Sequence, residues 1–204
     1  MALPNKLGLI ESSDLARAEE EITKRKALEL FEKNILETYP VGTYDGLAKI
    51  HKYIFEDIYE FAGKIRTENI AKGNFRFAPV MYLENSLEYV SKMPQKTYDE
   101  IIEKYVEMNI AHPFREGNGR STRIWLDAIL KKELKMVVAW SKVDKDDYLL
   151  AMERSPIKDV EIKVLLKAAL TKEINDRDVY MKGIDASYYY EGYHTYKTKE
   201  LGNT

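Results

Sequence analysis

A chain of 204 residues with 45% hydrophobic content can bury one sizeable core, and it is read as a single domain over 1–204. Lysine and arginine number 32 against 34 acidic residues, a formal charge of −2 that supplies no global positive field for nucleic acid or an anionic membrane. The absence of cysteine excludes disulfides and thiolate chemistry, no apolar run approaches the ~20 residues of a membrane span, and the start MALPNKLGLIESSD lacks a signal pattern, so a cytoplasmic location is expected.

The elements follow in chain order. Leu15 to Phe31 is rich in strong helix formers, with Ser12, Ser13 and Asp14 upstream as candidate caps. A second helix is predicted from Thr43, carrying Leu47, Ile50, Ile54, Ile58 and Phe61 at steps of three and four, with Gly63 at its end. Its His51 lies beside Ile50 and Ile54 and reads as a structural histidine. Between about 70 and 79, Phe75, Arg76 and Phe77 alternate beside the turn-prone Lys72, Gly73 and Asn74, which predicts a small β-hairpin. Leu83, Leu87 and Val90 resume a helical period that Pro94 stops, and Thr97 with Glu100 forms a capping box for the helix that delivers His112. The run from Ile124 to Leu130 is apolar around most of its circumference and predicts a central helix. Helical stretches follow at about Lys145 to Arg154 and Val160 to Ile174, and a last one lies within about 176–192. The fold class is all-α, with one inserted hairpin.

HPFREGNGR, His112 to Arg120, carries the chemistry. A plain connecting loop needs a glycine or two, but it has no need of an acid, an amide and two arginines spaced as Glu116, Asn118, Arg120 and Arg123. Gly117, Asn118 and Gly119 stand where the central helix begins, and a helix N-terminus presents unpaired N–H groups and partial positive charge to an anion such as phosphate. Arg120 and Arg123 on the first turn add donor forks towards the same anion. Glu116 is placed to hold a Mg²⁺ bridging the phosphates, and His112 to take a proton from an incoming hydroxyl. The sequence has no GxxxxGK[ST], HExxH or GxSxG pattern.

HPFREGNGRSTR closely resembles the HPFx[DE]GNGRxxR signature of Fic-domain proteins, matching it at every specified position. The resemblance extends to KGNFRF, IAHPF, TRIWLDAIL and AMERSP. It implies a helical bundle with a β-hairpin flap and adenylylation, the transfer of AMP from Mg-ATP to a Tyr, Ser or Thr hydroxyl of a target protein with release of pyrophosphate. His112 would then be the general base, Glu116 the Mg²⁺ residue, Gly117 to Arg120 the phosphate loop and Arg123 the γ-phosphate contact. Phe75, Arg76 and Phe77 would dock the target by strand addition, with Lys72 and Gly73 near the nucleotide.

SYYYEG, Ser187 to Gly192, matches the [ST]xxxE[GN] inhibitory motif of the same family. On a helix Ser187 and Glu191 share one face, so Glu191 is expected to pair with Arg123 and withhold it from the γ-phosphate. Tyr188 is the first candidate for self-modification. The resemblance also makes a homo-oligomer plausible. Two alternatives stand beside transfer: the reverse reaction, with Glu191 positioning a water for de-AMPylation, and a nucleotide-sensing module without turnover.

Overall fold

The structure is a computed structural model, and it describes residues 1–73 and 75–202. Asn74, expected in the hairpin turn, lies outside them. Nine α-helices are found among the described residues: α1 (Ser12–Glu32), α2 (Tyr44–Phe55), α3 (Val80–Lys92), α4 (Tyr98–Ala111), α5 (Asn118–Leu134), α6 (Lys145–Arg154), α7 (Val160–Ala168), α8 (Arg177–Tyr190) and α9 (Thr198–Leu201). Two small antiparallel pairs complete the fold, β1 (Ala71–Lys72) with β2 (Phe75–Arg76), and β3 (Val137–Val138) with β4 (Leu170–Thr171). No helix among the described residues is long and apolar enough to cross a membrane.

The apolar steps of α2, α4 and α8 converge on α5, and α1, α3 and α7 pack on those helices in turn. Ile124, Trp125, Leu126, Ile129 and Leu130 of α5 are all buried, which agrees with the central position read from their pattern. Thr43 caps α2 by accepting the Gly46 N–H, and the Thr97–Glu100 capping box starts α4 as expected. Three local predictions need correction. Helix α1 begins at Ser12, so Ser12, Ser13 and Asp14 lie inside it, and the N-cap Glu11 makes no side-chain bond. Helix α2 stops at Phe55, and Ile58 and Phe61 belong to the turns that follow, although both positions keep facing inward because those turns continue the local chain path. Helix α7 stops at Ala168, where Leu170 and Thr171 leave to pair with Val137 and Val138, forming a second strand pair that the helical period concealed. Helix α8 spans Arg177–Tyr190, capped by the Asp176 carboxylate on the Val179 N–H.

Candidate active site

Helix α4 ends on His112, whose backbone adopts the left-handed conformation at φ 48° and turns the chain into the loop. Its Nδ1 lies 3.2 Å from the Asn109 carbonyl, which can only accept, so Nδ1 carries the proton and Nε2 keeps its lone pair. Burial lowers the imidazole pKa to about 4; the Asn109 bond and Glu191 oppose this, and Arg66 and Lys72 assist it. Histidine 112 is therefore neutral near pH 7, the state a proton acceptor needs. The Phe77 ring stacks on it at 3.6 Å between centroids, which places the hairpin directly over the base.

The loop is held from behind. The Asn118 side chain accepts the Phe114 N–H at 2.9 Å and donates to the Phe114 carbonyl at 2.7 Å. Its amide is thus committed to shaping the loop, and what it can offer an anion is its backbone N–H. His51 accepts the Gly63 N–H on Nδ1 and so donates from Nε2 to the Glu116 carbonyl, 2.8 Å away. It is the structural histidine expected, and it props the loop. Gly117 has φ 78°, and a Cβ there would meet the Phe55 ring at 2.4 Å, so only glycine fits. Glu116 Oε1 accepts from the Gly117 N–H and from Arg120, whereas Oε2 has no protein partner among the described residues and the side chain is 43% exposed. Among the described residues no group of three or more His, Asp or Glu could hold a metal unaided.

The two arginines of α5 differ from the paired forks predicted. Arg120 is buried and turned towards α1, donating to Glu19 at 2.6 Å and to Glu116 at 3.0 Å, with its guanidinium against the rings of Phe55, Tyr188 and Tyr193. Both terminal nitrogens of its fork are therefore engaged, by Glu19 on α1 and by Glu116, while the buried Nε has no partner among the described residues. Arg123 donates to Ser187 Oγ at 2.7 Å, the Ser187 carbonyl at 2.9 Å, Tyr148 Oη at 3.2 Å and Glu191 Oε1 at 2.9 Å.

Glu191 is the C-cap of α8 and faces the cleft. Burial would raise its pKa, but Arg123 and then Lys72, whose Nζ lies 3.4 Å from Oε2, overcome that and hold it at about 2. Its carboxylate lies directly over the start of α5: a Cβ at Gly119 would come within 2.4 Å of Oε1. Tyr188 is not at the cleft. It is buried, and its hydroxyl donates to Thr23 on α1, so the self-modification expected of it has no accessible hydroxyl in this arrangement.

The resulting cleft has a volume of about 770 Å³. It is lined by Lys72, Gly73, Phe75 and Phe77 from the hairpin, His112 and Glu116 to Arg120 from the loop, and Arg123 and Glu191 behind them. Arg76, between the two phenylalanines, is exposed. A separate cavity of about 380 Å³ lies behind Arg123 and Ser187; the half-buried carboxylate of Asp127 in its wall is engaged by the Val138 N–H and the Trp140 indole. Sequence reading missed Tyr148, Tyr193, Glu19 and Arg66 at the site. The only signal for Glu19 was a charge at four-residue spacing from Leu15 and Thr23, on the buried stripe of α1. The others carried none.

Residues 42–130, which hold the hairpin, the loop and α5 as far as Leu130, match the Fic/DOC family. Over that stretch the chain resembles Fic-domain proteins. It is 29% identical to the protein adenylyltransferase VbhT of Bartonella schoenbuchensis over 196 residues, 89% of this chain but only 40% of that one. It is 25% identical to the probable protein adenylyltransferase Fic of Salmonella typhimurium over 183 residues, 84% of this chain and 87% of that one. Among solved structures, the BepC protein of Bartonella tribocorum with bound AMPPNP superposes with a TM-score of 0.68 at 20% identity, covering 84% of this chain and 93% of BepC. That likeness shows the fold.

Proposed function

We propose that the chain is a self-inhibited protein adenylyltransferase, acting on a target protein through one Fic domain that spans the chain. The carrying observation is the placement of His112 in the same cleft as the N-terminus of α5, with Nδ1 on the Asn109 carbonyl and Nε2 without a hydrogen-bond partner among the described residues; burial, which lowers the imidazole pKa, favours its neutral form. Nucleotide binding by a neighbour of this fold and the names of the relatives support the choice of ATP.

In this reading the backbone N–H groups at Gly117 to Arg120 receive phosphate oxygens at the helix N-terminus. A target strand adds to the hairpin near Phe75, Arg76 and Phe77 and brings a Tyr, Ser or Thr hydroxyl to His112. Nε2 takes the hydroxyl proton, the oxygen attacks the α-phosphorus, and the bond to the β-phosphate oxygen breaks to release pyrophosphate. The free Oε2 of Glu116 fits a Mg²⁺ that arrives on the phosphates, since such an ion keeps most of its ligands from substrate and water and would offset their charge. The Arg123–Glu191 pair opposes productive binding: Arg123 is spent, and a carboxylate stands where a phosphate oxygen would approach Gly119.

The experiment is labelling of lysate proteins with α-phosphate-labelled ATP. In a Glu191→Gly background, His112→Ala should reduce transfer by ~10²-fold or more while ATP affinity stays within a few fold. Equal loss of affinity and transfer would remove His112 as the base. An adenylylated target that wild type strips and Glu191→Gly does not would instead establish the reverse reaction.

A further inference from the structure

Arg66 belongs to none of the sequence motifs, yet it is buried and bonds both to the end of α4 and to the segments that flank the hairpin. Its Nε donates to the His112 carbonyl at 2.8 Å, and Nη2 donates to the Ala111 carbonyl at 3.2 Å. These are carbonyls at the end of α4, which the helix itself leaves without partners. The same guanidinium reaches the two legs of the hairpin, through Nη1 to the Glu68 carbonyl at 2.7 Å and Nη2 to the Ala78 carbonyl at 2.5 Å. Its own backbone N–H donates to the Pro113 carbonyl at 2.8 Å, and the Ala78 N–H donates to the Ile110 carbonyl at 2.9 Å.

We propose that Arg66 is a positioning residue for transfer, one planar fork that fixes the target-docking hairpin and the base His112 to each other. The inference rests on the adenylyltransferase reading for its catalytic consequence and on geometry alone for its mechanical one. The fork is needed because four carbonyls diverge from one centre. An ammonium has three donors on a single atom and cannot span both the helix end and both hairpin legs. Among the described residues no carboxylate lies within ion-pair distance of Arg66, so its charge rests on the α4 C-terminal dipole and contributes to the field at His112. The other charges that bear on His112 are Glu191 from α8 and Lys72 from the hairpin, which act in opposite directions.

The test compares Arg66→Lys, which keeps the charge, and Arg66→Gln, which removes it, both in the Glu191→Gly chain. Both should slow target labelling by ~10-fold or more, leave binding of a non-hydrolysable ATP analogue within about threefold, and speed hydrogen exchange at the Phe77 and Ala78 amides. The His112 imidazole, titrated by NMR, should move to higher pKa in Arg66→Gln and stay nearer its place in Arg66→Lys, a readout that a merely structural residue would not separate. Unchanged hairpin exchange in both variants would overturn the proposal, as would a fall in nucleotide affinity parallel to the loss of labelling. If the Glu191→Gly parent labels nothing, the adenylyltransferase reading fails, while exchange and titration still decide the role of Arg66.

Discussion

Arg120 and Arg123 stand three residues apart on one turn of α5, both buried and both bound to a glutamate, yet their surroundings differ. Arg120 meets Glu19 with both side chains at most 3% exposed, inside a box of Phe55, Tyr188 and Tyr193, and Glu19 also accepts from the Tyr59 and Tyr193 hydroxyls. Arg123 meets a glutamate that is 22% exposed and sits at the end of a helix beside the cleft. A charge pair whose every remaining oxygen is used has no second state to visit. A pair with one partner at a cleft edge can be broken by a competing anion, with only a side chain moving.

Breaking the first pair should have the largest effect. Glu19→Ala leaves the buried Arg120 with Glu116 as its one carboxylate partner among the described residues and should destabilise by ~3 kcal/mol, a melting-temperature fall of roughly 10 °C, without raising adenylylation per folded molecule. Activation of that variant in a labelling assay would merge the two pairs into one switch. Breaking the second pair should affect activity rather than stability. Glu191→Gly frees Arg123 for phosphate and should raise labelling about 100-fold, equivalent to ~2.7 kcal/mol, and Arg123→Ala in the same chain should cancel most of that gain. Ser187→Ala leaves the carboxylate in place but removes one bond to a charged donor, worth ~1.5 kcal/mol, so a rise of about tenfold is expected in the same assay.

The smallest expected effect is that of pH. Glu191 is held at about 2, below the ordinary 4.5, because Arg123 and Lys72 outweigh the cost of burial. A depressed carboxyl contributes stability that is fully present above 4.5 and is lost as pH falls through about 2. The ratio of Glu191→Gly to wild-type labelling should therefore stay flat from pH 6 to 8, and a ratio that collapses towards pH 6 would point to a different lock.

The difference between the pairs also marks what could be read from the chain. The loop was legible because its working parts are contiguous, from His112 to Arg123, and the Glu191–Arg123 contact because Ser187 and Glu191 share a helical face. The destination of Arg120 was not legible. Nothing local says that a glutamate 101 residues upstream lies on the buried stripe of α1 and captures the fork. Tyr148 was missed for the same reason, as its hydroxyl is shared between Arg123 and Tyr105 from separate helices. The direction of Tyr188 was not legible either, because neighbours in a YYY run point in different directions on a helix: Tyr188 inward to Thr23, Tyr189 to solvent, and Tyr190 to the carbonyls of Trp140 and Val143.

The space above Gly119, filled to 2.4 Å by the Glu191 carboxylate, ties the fates of two positions 72 residues apart. As long as 191 carries an acid, even a methyl group at 119 has nowhere to go unless the acid leaves. Once the acid is gone, alanine at 119 has only the end of the Arg123 side chain to displace, at 3.0 and 3.2 Å. Tolerance to mutation at the heart of the loop is thus set from the far end of the chain, and a Gly119→Ala lesion should be far milder as the second of two changes than as the first.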